Sequence, residues 1–368
     1  MNDFVIKTLT TDDIELELEK IGFDIAYRAK ASDKFKYKTF KVFDLTLPQA
    51  NILKQTALSF GADCGVHREV LTNKIDKTDV ILGGSFSQLK KISDKLKLQP
   101  FSLKDLATKI DSLLICVSRR TKLVGILNIT PDSFSDGGKY FDTKKAIEHV
   151  SNLIQDGADI IDIGAESTRP GAVDIAPQEQ ISRLKPLLKE LPEFLYSIDT
   201  RSSVVAEFAL DNGIQIVNDV SGLDFDKKMI DVISKYQSGL VIQHSGRNIA
   251  DICNYKDVVE EVWKSLYKKA EYANSKNVKN IILDIGIGFG KTKEDNFELL
   301  NRIDEFFTLN YPLMVGVSRK SLLGISDNDN DLKDALSSAI SYPLMQKGVD
   351  YLRVHNVKLH KQLLNLVR

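Results

Sequence analysis

From residue 123 to the C-terminus, short apolar runs alternate with longer amphipathic stretches. The runs cover 123–128, 160–163, 195–199, 214–218, 240–244, 280–284, 313–317 and 351–354. Helical spacing of apolar positions marks 144–156, 178–190, 204–212, 258–274, 296–307 and 332–347, and 359–367 follows the last run. Strands alternating with helices predict parallel βα units. Eight such units in about 245 residues is the count and length of a (β/α)8 barrel. The predicted fold is therefore an α/β (β/α)8 TIM barrel over 121–368, preceded by a small α/β domain over 1–120. In that first region, 39–45 and 79–82 read as strands and 48–60, 85–96 and 103–110 as helices, the second capped by Gly84 or Ser85. It carries no recognisable chemistry and is expected to be an appendage, for capping or assembly.

Composition narrows the function without naming it. The 368 residues carry 50 Lys and Arg against 51 Asp and Glu, a net charge of −1. That balance speaks against a dedicated nucleic-acid binder. Three cysteines, Cys64, Cys116 and Cys253, lie far apart and form neither a disulfide framework nor a zinc cluster. No run of about 18 apolar residues and no apolar leader occurs, so a soluble cytoplasmic protein with no membrane partner is expected.

The polar and glycine residues gather just after the C-terminal end of each apolar run, which in a barrel is the active-site face. The first loop, 128–138, holds Asn128, Phe134 and Asp136 among small polar residues. An amide oxygen, a carboxylate and open backbone suit hydrated Mg²⁺ and a phosphate. The second loop, 164–171, offers Thr168, Arg169 and Pro170, with the arginine fork suited to phosphate oxygens. Asp199, Asn218, Gln243 with His244, and Asp284 end four further runs, and such groups match the donor-rich edge of a heterocycle. The stretch 284–291 reads G-x-G-x-G, which is not the dinucleotide fingerprint, and places Phe289 as an apolar wall. Lys320 and Ser321 close the seventh run, with a helix expected to start there. Arg353 and His355 lie two apart on the last strand and point the same way. No activated nucleophile stands out. The set suits a flat heterocycle and an anionic leaving group.

Six blocks carry a resemblance: Leu127-Asn-Ile-Thr-Pro-Asp-Ser-Phe-Ser-Asp-Gly-Gly138, Ala165-Glu-Ser-Thr-Arg-Pro-Gly171, Ser197-Ile-Asp-Thr200, Asn218-Asp-Val-Ser-Gly222, Val315-Gly-Val-Ser-Arg-Lys-Ser321 and Arg353-Val-His355. Together, and in this order, they resemble dihydropteroate synthases over 121–368. The resemblance implies condensation of 6-hydroxymethyl-7,8-dihydropterin diphosphate with p-aminobenzoate, giving 7,8-dihydropteroate and diphosphate in folate synthesis. It implies pterin binding by Asp199, Asn218, Asp284, Lys320 and Arg353. Asn128, Asp136, Arg169 and His355 would handle diphosphate and Mg²⁺, with Asn128 as the metal ligand. Phe134, Thr168, Pro170, Phe289 and Ser321 would frame p-aminobenzoate. It further implies a homodimer and diphosphate departure before amine attack. The chain departs from the family pattern at Ile285, where proline is usual, at the shortened block Gln243-His-Ser-Gly246, and at Asn356, where aspartate is usual. A pterin-dependent methyltransferase on the same barrel would give no reason for the loops at 128–136 and 167–169. A catalytically dead pterin binder would be expected to have lost Arg169, Lys320 or Arg353.

Overall fold

The computed structural model describes residues 6–9, 14–72, 74–115, 119–129, 139–166, 175–245, 253–325 and 329–367. It divides into two compact units, Met1–Val117 and Ser118–Arg368.

The first unit is a three-stranded antiparallel sheet with helices packed against it. Strands β1 (Tyr37–Thr46), β2 (Asp63–Val66) and β3 (Lys77–Ser85) lie in the order β1-β3-β2. The pairing of β1 with β3 runs from Tyr37 opposite Ser85 to Thr46 opposite Lys77, with a bulge between Val42 and Leu45. Helices Leu47–Ser59, Phe86–Leu96 and Leu103–Leu113 follow the strands. Phe86, Leu89, Ile92, Ser93 and Leu96 are buried on one stripe, the 3.6-residue period of a core-facing helix. That helix starts at Ser85, whose hydroxyl accepts from the Gln88 amide while the Gln88 side chain returns the bond. The sequence pattern missed β2 and the short helices Ile14–Lys20 and Arg28–Ser32, all too brief to show a period.

The second unit is a closed parallel barrel. Its strands are β4 (Lys122–Asn128), β5 (Ile160–Gly164), β6 (Tyr196–Asp199), β7 (Ile216–Asp219), β8 (Gly239–Gln243), β9 (Ile281–Asp284), β10 (Leu313–Val315) and β11 (Tyr351–Val354). They follow chain order around the barrel, and β11 pairs with β4 to close it. Alternate residues face opposite ways on a strand. One set, including Leu127, Ile163, Ile198, Val217 and Leu283, forms a large core with the surrounding helices. The other set plugs the barrel interior with Val124, Ile160, Val241, Ile282 and Met314, flanked by Ile216 and Tyr351. The plug leaves room for polar side chains only at the strands' C-terminal ends.

Observed helices keep the expected positions with shifted ends, such as Lys139–Gln155 and Val258–Ser275. Helix Met229–Tyr236, between β7 and β8, was not expected from the pattern. Segment 296–307 resolves into helix Lys293–Asn301 and a 3-10 turn, Ile303–Leu309. At Ser321 there is no long helix. A three-residue 3-10 turn, Ser321–Leu323, stands there, and the helix begins at Asn330 with Asp329 as its cap. Among the described residues no helix is long and apolar enough to cross a membrane.

Candidate functional site

The β-strand alternation decides what enters the barrel mouth. On β5, Ile161 and Ile163 belong to the outer core, so Asp162 points inward, just above the plug residue Ile160. The same rule turns Ser197 and Asp199 of β6, Asn218 of β7, Asp284 of β9 and Arg353 of β11 inward. Register then brings them side by side: Asp162 pairs with Ser197, and Asp199 with Asn218.

Arg353 ties this ring together. Its Nε donates to Asp162 Oδ2 at 2.7 Å and its Nη2 to Asp199 Oδ2 at 2.7 Å. Asp162 also accepts from Ser197 Oγ and, at 2.9 Å, from Asn218 Nδ2. Two buried oxygens remain without a partner, Asp199 Oδ1 and Asn218 Oδ1. Buried polar atoms are normally hydrogen-bonded, so an orphaned neighbouring pair points to a ligand. Both are acceptors, and they would meet a ring edge that presents N–H groups.

Asp284 lies at the end of β9, and its Oδ1 accepts from the Gly286 amide at 2.7 Å. Burial raises its pKa above the usual carboxylate range, opposed chiefly by Lys320. Burial likewise raises Asp199, with Arg353 pulling against it. The Arg353 guanidinium stays charged: burial works against the charge, and Asp162 and Asp199 outweigh it. Lys320 sits with its ammonium 4.7 Å from the centre of the Phe289 ring and donates to the Ile287 carbonyl. Burial lowers its pKa to about 8, with Asp284 resisting the shift.

The strand ends identified in the sequence divide by role. Gln243 donates to the Val220 carbonyl at 3.3 Å. His244 is buried, its Nδ1 has no partner, and burial drops its pKa to about 2, so the ring is neutral. Asp219 accepts from Ser221 N, Ser221 Oγ and Leu223 N, which shapes its own loop. His355 Nδ1 lies 2.9 Å from Ser318 Oγ, joining the ends of the seventh and eighth strands. Asn356 caps the last helix through Leu359 N and donates to Asp334 at 3.1 Å. Asp334 in turn holds the Arg319 fork at 2.7 and 2.8 Å, directly beside Lys320. Arg319 has a φ of 56°, a strained conformation for arginine that this clamp retains. Ser321 is exposed at the rim. Asn128 is half-buried at the end of β4, and its Oδ1 lies over Gly164, 3.3 Å from where a Cβ there would stand. Phe134, Asp136, Thr168, Arg169 and Pro170 lie outside the described residues.

Two site residues were missed. Asp162 sat inside an apolar run and was read as part of a strand. The available signal was a charge at an inward position two residues before Gly164. Lys291 was read only as the tail of a glycine stretch. It is buried, and its Nζ donates to the carbonyls of Gly286 at 2.8 Å, Phe289 at 3.0 Å and His244 at 3.3 Å. It thereby fastens the β9 loop to the end of β8. Gly286 has a φ of 67°, and a Cβ there would stand 1.7 Å from the His244 carbonyl oxygen.

Residues 124–355 match the family model described as pterin binding enzyme. The chain belongs to the dihydropteroate synthase family of pterin-binding enzymes. A dihydropteroate synthase from Clostridium beijerinckii is 40% identical over 257 residues, 68% of this chain and 94% of the relative. Among solved structures, the dihydropteroate synthase of Anaplasma phagocytophilum with bound 6-hydroxymethylpterin-monophosphate has a TM-score of 0.63 at 37% identity, covering 68% of this chain and 98% of that one. Both cover the barrel's share of the chain. A Helicobacter pylori relative, named bifunctional dihydropteroate synthase/dihydropteroate reductase, is 33% identical over 376 residues, 99% of this chain and 98% of its own. The dihydropteroate synthase barrel and its polar ring therefore come with an N-terminal unit that a whole-length relative shares.

Proposed function

We propose that the barrel condenses 6-hydroxymethyl-7,8-dihydropterin diphosphate with p-aminobenzoate to give 7,8-dihydropteroate and diphosphate. The observation that carries this reading is the buried acceptor pair, Asp199 Oδ1 and Asn218 Oδ1, beside Arg353 and Asp284. The C–O bond to diphosphate breaks, a C–N bond to the amine forms, and the amine loses a proton. Asp199, Asn218 and Asp284 accept N–H bonds from the pterin, and Lys320 and Arg353 donate to it. With five polar groups fixed before the ligand arrives, little ordering is left for the reaction. His355, and from the loops outside the described residues Asp136 and Arg169, take the diphosphate. Phe289 and Ser321, with Phe134, Thr168 and Pro170, frame p-aminobenzoate.

Asn128 fits a Mg²⁺ ligand. Its hard amide oxygen lies over a residue with no side chain, and no cluster of three potential ligands competes among the described residues. Mg²⁺ commonly takes one or two protein oxygens and completes its shell with water and phosphate. When bound it would neutralise charge on the leaving diphosphate.

Incubation of the chain with both substrates and Mg²⁺, read by diphosphate release, tests the assignment. Turnover is expected, and a folded protein without product overturns it. The same reading places a homodimer in the cytoplasm, with light scattering as its check.

The whole-length match to the H. pylori relative favours a second reading for the extension. Here the full chain also reduces dihydropteroate, taking a hydride (two electrons and one proton) from an external donor and a second proton from solvent. Comparing reduction by the full chain and by a 118–368 fragment separates this from a purely structural appendage. Reduction lost with the extension supports the second activity, and no reduction by either removes it.

A further inference from the structure

The site has a floor as well as walls, and one residue organises it. Asp162 is 1% exposed and lies between the apolar plug and the ring of polar side chains. Three donors converge on it: Ser197 Oγ on one oxygen, Asn218 Nδ2 and Arg353 Nε on the other. An ionised carboxylate only accepts. The Asn218 amide must therefore turn its NH₂ down to Asp162. A flipped amide would set its oxygen against Asp162 Oδ2 at the 2.9 Å now spanned by a hydrogen bond. With the NH₂ held below, the oxygen faces up, and it is this oxygen that is buried without a partner. Arg353 is fixed in the same way, held between Asp162 and Asp199 through Nε and Nη2.

We propose that Asp162 is a specificity-determining positioning residue, which holds the Asn218 amide with its carbonyl toward the ligand and so makes the pocket read N–H donors. It touches no substrate and acts through Asn218 and Arg353. The proposal rests on the reading of the barrel mouth as a pterin pocket. A pterin ring presents an amino group where a lumazine ring presents an oxo group. An acceptor pair distinguishes them, because the lumazine oxygen would face a protein oxygen.

Asp162→Ala removes the acceptor. With no oxygen below it, the Asn218 amide is no longer held and can turn over to offer its NH₂ upward, while Arg353 keeps its bond to Asp199. The test is calorimetric titration of 6-hydroxymethylpterin and 6-hydroxymethyllumazine into the wild-type chain and the variant. The wild type should prefer the pterin, and Asp162→Ala should narrow that preference by roughly two- to tenfold, the worth of one neutral hydrogen bond. A residue that merely supports packing would weaken both ligands alike. An unchanged preference in a folded variant overturns the proposal.

If Asp162→Ala does not fold, the wild-type chain still decides. In protein labelled with ¹⁵N-asparagine, the side-chain NH₂ of Asn218 should exchange far more slowly than that of exposed Asn277. Exchange as fast as Asn277 would overturn the proposal. If the wild type binds no pterin, the pterin reading falls, and the exchange measurement still tests whether the Asn218 amide is held.

Discussion

The two units bury different things. Among the described residues, the buried polar side chains of the N-terminal unit are all hydroxyls: Ser32, Thr56, Thr78, Ser85 and Ser93. Ser93, for instance, simply donates to the Ala107 carbonyl at 3.0 Å. The barrel buries Asp162, Glu166, Asp199, Asp219, Asp284, Lys291 and Asp334. Burying a charge is costly unless it is paired and hydrogen-bonded. A unit that folds for stability alone has no reason to do so, and the N-terminal interior follows that logic. The barrel holds its buried charge in paired clusters: Asp162 and Asp199 with Arg353, Glu166 with Arg201, and Asp334 with Arg319. Buried charge, more than any cavity, separates the two units of this chain.

Arg353→Met should mark the contrast most strongly. It leaves Asp162 and Asp199 buried without their cation, which typically costs about 3–5 kcal/mol. It should also abolish diphosphate release. The chain's one tryptophan, Trp263, lies on a barrel helix and donates to Thr308 Oγ1 at 2.9 Å, so urea unfolding followed by its fluorescence reports on this unit. A variant as stable as wild type would show that this cluster holds no strain-bearing charge.

Asp284→Asn should act on affinity rather than on folding. One acceptor becomes a mixed amide, and pterin binding should weaken tenfold or more, about 1.5–3 kcal/mol. Calorimetry on the folded variant checks this, and unchanged affinity would remove Asp284 from the pocket.

A smaller effect concerns pH. The folded pKa of Lys320 is about 8, below the ordinary lysine value of 10.5. Its ammonium is therefore lost above about pH 8 in the folded chain, and pterin affinity should fall several-fold over the following pH unit. Stability moves the other way. The unfolded chain keeps this proton up to 10.5, so the penalty for a buried ammonium is relieved between about pH 8 and 10.5, and this group's contribution to stability rises there. Lys320→Arg should remove the affinity break near pH 8, and a break that persists would assign it to another group.

The smallest effect belongs to the N-terminal unit. Lys90→Met breaks an ion pair with Asp33 at 2.7 Å whose lysine side chain is 57% exposed. Such pairs contribute little, so a thermal scan by circular dichroism should show a change within about 0.5 kcal/mol. A large loss there would blur the distinction between the units.

How far the sequence carried this picture follows from the same physics. The barrel was legible because each strand and helix stamps its period on the chain, and Asp199, Asn218 and Asp284 were legible because they end apolar runs. Asp162 was hidden because its importance depends on three neighbours at sequence distances of 35, 56 and 191 residues. Lys291 was hidden because its partners are backbone carbonyls, which carry no sequence signature. The helix expected at Ser321 failed for a local reason: Gly324, at a φ of 71°, ends the turn after three residues.

Lys291 also bears on how this chain can drift over generations. Family resemblance leads one to expect proline at 285, and isoleucine stands there. The loop does not rely on that ring for its shape, because one ammonium gathers three of the surrounding carbonyls and Asp284 takes the Gly286 amide. Position 285 is thus released to exchange among apolar residues, and Ile285 uses the freedom to join the outer core. Its neighbour has no such latitude, since the first carbon of any side chain at 286 would collide with the carbonyl of His244, just past the end of β8. In an alignment of descendants, tolerance and prohibition should therefore sit side by side, one residue apart.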